Sequence, residues 1–160
     1  LWIRHLGLQC AAKAGYPRAS VHIGFAKDEV SIVRFPQLDA EKARATLAVL
    51  VSLYHIGQTM PLCFFTETSY AYAKARHAGK DEDTAASAAR TTFSGGGFAG
   101  KGARAESEDP SVEQILGGRD PVEPGFRLLD PGSAGASAEQ SFAELATAIV
   151  GPLLAHREKG

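Results

Sequence analysis

The chain has 160 residues, of which 44% are hydrophobic and 22% are charged. This composition suits one packed core and excludes an intrinsically disordered chain. The formal net charge of −1 excludes a global basic field that would attract nucleic acid. Because the first residue is Leu1 and not Met, we expect residues 1–160 to be a single-domain piece of a larger subunit.

The apolar content does not predict contact with a membrane. The most apolar stretch, residues 47–56, is far shorter than the about 20 residues that span a bilayer. No secretion signal is recognisable, so we expect a cytoplasmic location. Cys10 and Cys63 each stand alone in apolar surroundings, which favours free thiols that pack in the interior.

The first third of the chain predicts a helix followed by a β-hairpin. Apolar spacing indicates a helix over residues 1–14, which Gly15 and Pro17 end. Residues 20–26 and 30–35 alternate as two strands around a polar turn. The hairpin is therefore predicted to be antiparallel.

A second helix is expected directly after the hairpin. Asp39 is its predicted N-cap, Ile56 is near its end, and Gly57 closes it in a left-handed conformation. Its second half is apolar enough to predict burial on most sides. One apolar row of the hairpin should pack against it: Val21, Ile23 and Phe25.

The middle of the chain predicts two further helices after a short apolar segment at residues 61–65. Thr66 or Thr68 is expected to cap the first helix, which ends at Gly79. Asp83 is expected to open the second, alanine-rich helix. That helix should end near Phe93, because a glycine-rich stretch follows it.

The last part predicts one short and one long helix separated by a loop. Asp109 and Pro110 form the N-cap and N1 pair of the short helix, which ends at Gly117. Ser137 and Gln140 are spaced as a capping box for the long helix. One apolar face of that helix consists of Phe142, Leu145, Ile149 and Leu153.

The glycine-rich stretch matches part of a phosphate-binding loop. Gly95, Gly100 and Lys101 have the required spacing, but Gly102 stands where a hydroxyl would hold magnesium. No strand precedes the loop either, which favours a surface loop. An unrelated enzyme domain that binds phosphate here stays open as an alternative.

Two acidic clusters, residues 81–83 and 106–109, lie where helices are predicted to start. Acidic side chains are favoured there by the helix dipole, whereas nuclease carboxylates normally lie on adjacent strands. The histidines lack metal-ligand spacing. We therefore expect helix capping, and neither a metal nor another cofactor.

Large aromatic residues near turns are the predicted contacts with a protein partner, because such residues anchor interfaces. They are Trp2, Phe64, Phe65, Tyr70, Phe98 and Phe126. A modest basic edge, formed by Lys74, Arg76 and Lys80, is the candidate contact with a DNA backbone.

Several phrases of the sequence, taken in order, resemble one family. They are LWIRHL at 1–6, GQTMPLCFF at 57–65, TSYAYA at 68–73, ESEDP at 106–110, GRDP at 118–121, FAELA at 142–146 and GPLL at 151–154. The chain resembles the C-terminal region of RecC, the gamma subunit of bacterial exodeoxyribonuclease V. The resemblance implies an α/β fold of the α+β kind. We expect a helix-rich lobe with a small antiparallel hairpin, part of a degenerate restriction-endonuclease-like domain.

The resemblance also implies a function. RecC subunits join RecB-like and RecD-like partners in a helicase–nuclease that repairs double-strand breaks, and they meet DNA through the whole complex. Helix 1–14 is similar to a Gln-x-x-x-Tyr helix of active nuclease relatives, with Gln9 present and Lys13 in place of Tyr. The chain is thus expected to be non-catalytic and to dock partner subunits. The alternative is a lobe of an active metal-dependent nuclease whose catalytic strands lie upstream.

Overall fold

The computed structural model describes residues 1–11, 15–26, 29–96, 104–128 and 140–159. Within these ranges the elements are α1 (Trp2–Ala11), β1 (Ser20–Ala26), β2 (Glu29–Phe35), α2 (Ala40–Gly57), α3 (Thr66–His77), α4 (Glu82–Phe93), a 3-10 helix (Glu106–Glu108), α5 (Pro110–Leu116), α6 (Phe142–His156) and β3 (Glu158–Lys159). Helices with a small antiparallel sheet confirm the predicted α+β class.

The chain divides into two compact units. Unit 1 comprises Leu1–Ile56 with Pro152–Gly160, and unit 2 comprises Gly57–Gly151. Compact units of this size can belong to one domain or to two. The expectation of a single domain over residues 1–160 therefore stays a prediction.

The sheet of unit 1 has the strand order β1-β2-β3. The predicted hairpin is confirmed: β1 and β2 are antiparallel, with Ser20 opposite Phe35 and Ile23 opposite Ile32. The third strand was not predicted. It pairs with β2 by placing Glu158 opposite Arg34.

The core of unit 1 forms where α1 and α2 meet one face of this sheet. Leu6 and Phe35 are 0% and 1% exposed, and Trp2 and Ala43 complete the buried cluster. Partly buried side chains pack around them, among them Val33, Leu38, Leu47, Leu50 and Leu153.

The predicted packing of the first strand is wrong. Val21, Ile23 and Phe25 are 57%, 68% and 73% exposed, while Leu47 and Leu50 pack around Phe35. Alternate residues of a strand point to opposite faces of the sheet. The register places this apolar row of β1 on the opposite face from Phe35, and only one face meets the helices.

Helix α2 is less buried than its composition predicted. Asp39 is the N-cap, as expected, because its carboxylate accepts hydrogen bonds from the N–H groups of Glu41 and Lys42 at 2.9 and 3.1 Å. Gly57, however, is not among the glycines of positive φ, so the predicted left-handed closure is wrong. Ala43 and Leu53 are the buried residues of α2, and three large apolar residues are exposed: Val49, Val51 and Tyr54.

Unit 2 contains α3, α4 and α5 with most of α6. Asp81 caps α4 by accepting the N–H of Thr84 at 2.7 Å, two positions before the predicted Asp83. Asp109 caps α5, which ends at Gly117 with a left-handed φ of 59°, so both predicted ends are confirmed. The short apolar segment, residues 61–65, forms neither helix nor strand.

The start of α3 is capped by a distant residue. Neither Thr66 nor Thr68 caps it, because the helix begins at Thr66 and Phe65 is in the capping position without a capping side chain. The Glu106 carboxylate instead accepts from the N–H of Glu67 at 3.0 Å, and from the N–H and hydroxyl of Thr68 at 2.9 and 2.7 Å. A local sequence pattern cannot predict this cap, because the capping residue lies far from the helix in the sequence.

The start of α6 carries a capping box at a shifted position. Ser137 lies outside the described residues, and Gln140 precedes the helix. The box is formed by Ser141 and Glu144: the N–H and hydroxyl of Ser141 donate to the carboxylate at 2.6 and 2.8 Å. The helix continues past Pro152 to His156.

Replacing Ser141 with alanine is expected to lower the free energy of unfolding by about 1 kcal/mol, because the first turn of α6 loses its cap. Urea denaturation followed by circular dichroism measures the change. The matched control is Ser87→Ala, an exposed serine inside α4. Equal stabilities of the two variants would contradict the capping role.

Candidate partner interface

One face of the unit 1 sheet is apolar and turned towards solvent. We call it the apolar sheet face and define it by Val21, Ile23, Phe25, Val30 and Ile32. These residues share a face because Ile23 is opposite Ile32 and Phe25 is opposite Val30. Phe25 and Val30 are 73% and 64% exposed, and Ile32 is half-buried.

This exposure is unusual for a sheet. Antiparallel sheets that face water on one side normally alternate apolar residues inward with polar residues outward. Here β1 places its apolar residues outward, and the small or polar Ser20, His22 and Gly24 lie on the face that meets the helices. A contiguous exposed apolar patch of this kind marks a site of interaction.

The free edge of β1 lies beside this face. Among the described strands β1 pairs with β2 alone, so its outer backbone groups have no strand partner. An incoming protein segment can therefore meet both an apolar surface and a row of backbone hydrogen-bonding groups.

The aromatic residues predicted from the sequence are mostly not free surface. Trp2 is 8% exposed and packs against the rings of His5, Phe35 and His156 at 5.7, 5.5 and 5.7 Å. It therefore belongs to the core of unit 1. Phe98 lies outside the described residues.

The remaining predicted aromatics are half-buried in unit 2. They are Phe64, Phe65, Tyr70 and Phe126. Phe65 meets Phe93 edge to face at 5.3 Å, and the Arg119 guanidinium lies 5.2 Å from the ring centre of Phe126. These intramolecular contacts use part of each ring, and binding of a partner by the remainder stays a prediction.

The predicted basic edge lies at the C-terminal end of α3 and in the turn after it. Lys74, Arg76 and His77 lie in its last turn, where cations are favoured by the helix dipole. The Arg76 guanidinium also donates to the carbonyl of Lys80 at 3.0 Å, which ties down the turn after the helix. Contact of this edge with DNA stays a prediction.

The acidic clusters act as helix caps. Asp81, Glu106 and Asp109 each accept hydrogen bonds from N–H groups at the start of a helix, which confirms the predicted capping. In the parts of the chain that the structure describes, no three His, Cys, Asp or Glu side chains lie together as a metal site.

The buried side chain of Gln9 links α1 to the segments before and after the hairpin. Its side-chain amide donates to the carbonyl of Arg18 at 2.6 Å, and its carbonyl oxygen accepts the N–H of Leu38 at 3.3 Å. The side chain is therefore occupied in joining α1 to both ends of the hairpin. Lys13, and the phosphate-loop positions Gly100 to Gly102, lie outside the described residues.

The predicted free cysteines are confirmed. Cys63 is buried, with its thiol 3.7 Å from the carbonyl of Pro121, and Cys10 is half-buried. None of the helices in the described ranges is both long and apolar enough to cross a membrane.

Two histidines from opposite ends of unit 1 lie next to each other at the edge of its core. The rings of His5 and His156 are 5.5 Å apart, and His156 contacts the carbonyl of Pro36 at 2.8 Å. Burial of the ring, and secondly the charge of His156, lower the pKa of His5 below its ordinary 6.5. His5 is therefore neutral in the folded state at neutral pH.

The stability of the chain is expected to fall as the pH is lowered through about 6.5, because the unfolded chain then binds a proton that buried His5 resists. Denaturation midpoints across this range measure it. The variant His5→Phe keeps the ring packing and should flatten the dependence, whereas His55→Phe, on the exposed part of α2, should not. An identical pH profile for parent and His5→Phe would contradict the assignment.

A comparison with known protein families supports the resemblance that the sequence shows. Residues 1–77 match the family described as the RecC C-terminal domain. This similarity covers the first 77 of the 160 residues. The matched region runs from α1 to the end of α3, so it contains the whole apolar sheet face. The match supports the role of a subunit in a RecBCD-type complex of DNA repair and recombination. A search of curated proteins found no match.

Proposed function

We propose that the chain is the non-catalytic C-terminal module of a RecC-like gamma subunit, acting in the cytoplasm. In this proposal residues 1–160 form one domain, and the module docks a RecB-like or RecD-like subunit of a helicase–nuclease for double-strand-break repair. DNA is handled by the whole complex. The observation that carries the docking role is the apolar sheet face of unit 1.

The chemistry of this face favours a protein partner over DNA. Phosphate contacts need cationic or hydrogen-bonding groups, and the face offers mainly aliphatic and aromatic carbon. Its one cation, Arg34, lies at the end of the face opposite Val21 and next to Glu158 of β3. Burying Phe25 against a partner removes its exposed ring from water, and aromatic residues at the centre of an interface carry much of its binding free energy. RecC-type subunits work in an assembly, so a surface that is apolar in the separate chain has a natural cover.

The proposal is tested by the binding of variant subunits to their partners. Ile23→Ser and Phe25→Ser, made in the full-length RecC-like subunit, are each expected to weaken its affinity for one partner subunit by about tenfold. Biolayer interferometry with the RecB-like and RecD-like subunits measures the loss.

The controls separate this face from other surfaces. Tyr54→Ser changes another exposed apolar residue of unit 1, on α2, and should leave the affinity unchanged. Replacing Lys74, Arg76 and Lys80 with alanine should also change assembly little. Parental affinity of both sheet-face variants, with loss in the basic-edge variants, would refute the proposal.

A further inference from the structure

The register of the hairpin determines which backbone groups of β1 point away from the sheet. Ala26 and Glu29 are opposite each other, with two residues between them in the sequence. A pair that closes so short a turn exchanges both of its backbone hydrogen bonds, and such pairs alternate with non-hydrogen-bonded pairs along an antiparallel ladder. The non-hydrogen-bonded positions of β1, counted back from Ala26, are Val21, Ile23 and Phe25. Their N–H and C=O groups point away from β2, so the edge offers three donors and three acceptors.

These edge groups have no protein partner among the described residues. The sheet order places β1 at an edge, and none of the three residues takes part in a backbone hydrogen bond outside the sheet in the described ranges. Their side chains are 57–73% exposed. The edge is therefore accessible to another chain.

The strand β1 also lacks the features by which edge strands normally avoid pairing with another chain. Those features are charged residues, proline and β-bulges. The sequence of β1, SVHIGFA, contains no Lys, Arg, Asp, Glu or Pro, and each of its residues has one partner on β2, which excludes a bulge. The other side of the hairpin differs, because β3 pairs with β2 at Val33 and Arg34. The edge of β1 therefore favours pairing with a further strand.

The outward backbone groups and the apolar side chains of β1 belong to the same three residues. A strand that pairs with β1 places every second side chain beside theirs, on the apolar sheet face. A segment with apolar residues at every second position therefore matches the edge and the face together. Antiparallel pairing is favoured, because it is slightly more stable per residue than parallel pairing.

A second copy of the chain matches this edge less well than a different partner does. Two β1 strands can pair antiparallel about Ile23, but their apolar faces then lie side by side. Phe25 of each copy stays exposed to water, and the apolar patch is doubled instead of covered. A strand from another protein leads into its own chain, which can cover the face.

We propose that a partner subunit adds an extended segment to β1 as an antiparallel strand, with apolar residues at every second position. The segment donates to the C=O groups of Val21, Ile23 and Phe25 and accepts from their N–H groups. This inference rests on the proposed docking of the apolar sheet face, and it adds backbone pairing as the mode of binding.

Residue-resolved amide hydrogen exchange of the full-length RecC-like subunit, alone and assembled with its partner subunits, tests the pairing. In the separate subunit we expect fast exchange at the three edge amides, those of Val21, Ile23 and Phe25. Exchange at His22 and Gly24 should be slower, because their N–H groups face β2. Assembly should slow the three edge amides by at least about tenfold. Unchanged exchange at these amides in the assembled complex would overturn the proposal.

A comparison with side-chain oxidation separates this inference from the docking role. If assembly protects the Phe25 side chain from oxidation while the three edge amides exchange as before, docking stands and strand pairing is refuted. If neither the side chain nor the amides are protected, both proposals fail. Protection of both supports both.

A proline variant provides a second test of the backbone contact. Ile23→Pro removes an outward N–H, and proline is tolerated on an edge strand where the N–H faces solvent. Ile23→Ala, the matched control, shortens the same side chain but keeps the N–H. We expect Ile23→Pro to bind the partner subunit about tenfold more weakly than Ile23→Ala. Circular dichroism checks that both variants fold, and equal affinity of the two folded variants would contradict the pairing. If Ile23→Pro does not fold, amide exchange of the parent decides the question.

Discussion

Replacing Phe35 with alanine is expected to lower the free energy of unfolding of unit 1 by about 3–5 kcal/mol. Phe35 is 1% exposed and lies between α1 and the sheet, in contact with the rings of Trp2 and His5 at 5.5 and 5.3 Å. The change removes a large apolar side chain and leaves a cavity that its ring neighbours cannot fully close. Urea denaturation followed by the fluorescence of Trp2, the one tryptophan of the chain, reports on this core.

The matched control for Phe35 lies on the opposite face of the same sheet. Ile23→Ala removes an apolar side chain that is 68% exposed, so the expected loss is within about 0.5 kcal/mol. The difference between the two variants measures which face of the hairpin is buried. A larger loss for Ile23→Ala than for Phe35→Ala would show that the register described here is wrong.

Replacing Glu106 with alanine is expected to lower the free energy of unfolding by about 2–3 kcal/mol. Its carboxylate accepts three hydrogen bonds at the start of α3, and the Thr68 hydroxyl, in a residue that is 0% exposed, is one of the donors. Without the carboxylate, the buried Thr68 groups lose their acceptor and the positive end of the helix dipole loses its anion. Chemical denaturation followed by the circular dichroism signal of the helices measures the loss.

Two variants separate the cap from general charge effects. Glu106→Gln keeps an acceptor but loses the charge, so we expect an intermediate loss. Glu108→Ala, in the same 3-10 helix, removes an exposed acid that lies 4.0 Å from Arg104, so it should change stability little. A Glu106→Ala variant as stable as Glu108→Ala would contradict the role of Glu106 as a cap.

Features that depend on neighbours in sequence were predictable. Asp39 and Asp109 are followed by the residues whose N–H groups they accept, and Gly117 ends α5 because glycine adopts positive φ readily. The hairpin was recognisable from the alternation of its two strands around a polar turn. Each of these signals lies within a few residues of the structure it specifies.

Features that depend on distant pairing were not predictable in the same way. Both strands carry apolar residues, and the register decides that Phe35 faces the helices while Phe25 faces solvent. Periodicity alone does not say which apolar row of a two-sided hairpin is inside. Glu106 caps a helix that begins 40 residues earlier at Thr66, and no local pattern reports that contact.

The candidate interface shows the same limit. The size and aromatic character of Trp2 predict a partner contact, but the size of a side chain does not determine its exposure, and Trp2 is buried. The apolar sheet face was present in the sequence as the alternation of Val21, Ile23 and Phe25. An apolar row of this kind most often lies in the core, so the alternation predicts inward packing. The candidate docking surface in the structure is therefore the apolar sheet face, and not the aromatic residues near turns that the sequence predicts.

Hydroxyl-radical footprinting of the full-length RecC-like subunit, alone and assembled with its partner subunits, tests the docking of the apolar sheet face most directly. The extent of side-chain oxidation follows exposure, and Phe25 and Tyr54 are 73% and 64% exposed in the separate chain. We predict that assembly protects Phe25 strongly and leaves Tyr54, on α2, unchanged. Oxidation of Phe25 at the same rate in the assembled complex and in the separate subunit would contradict the account.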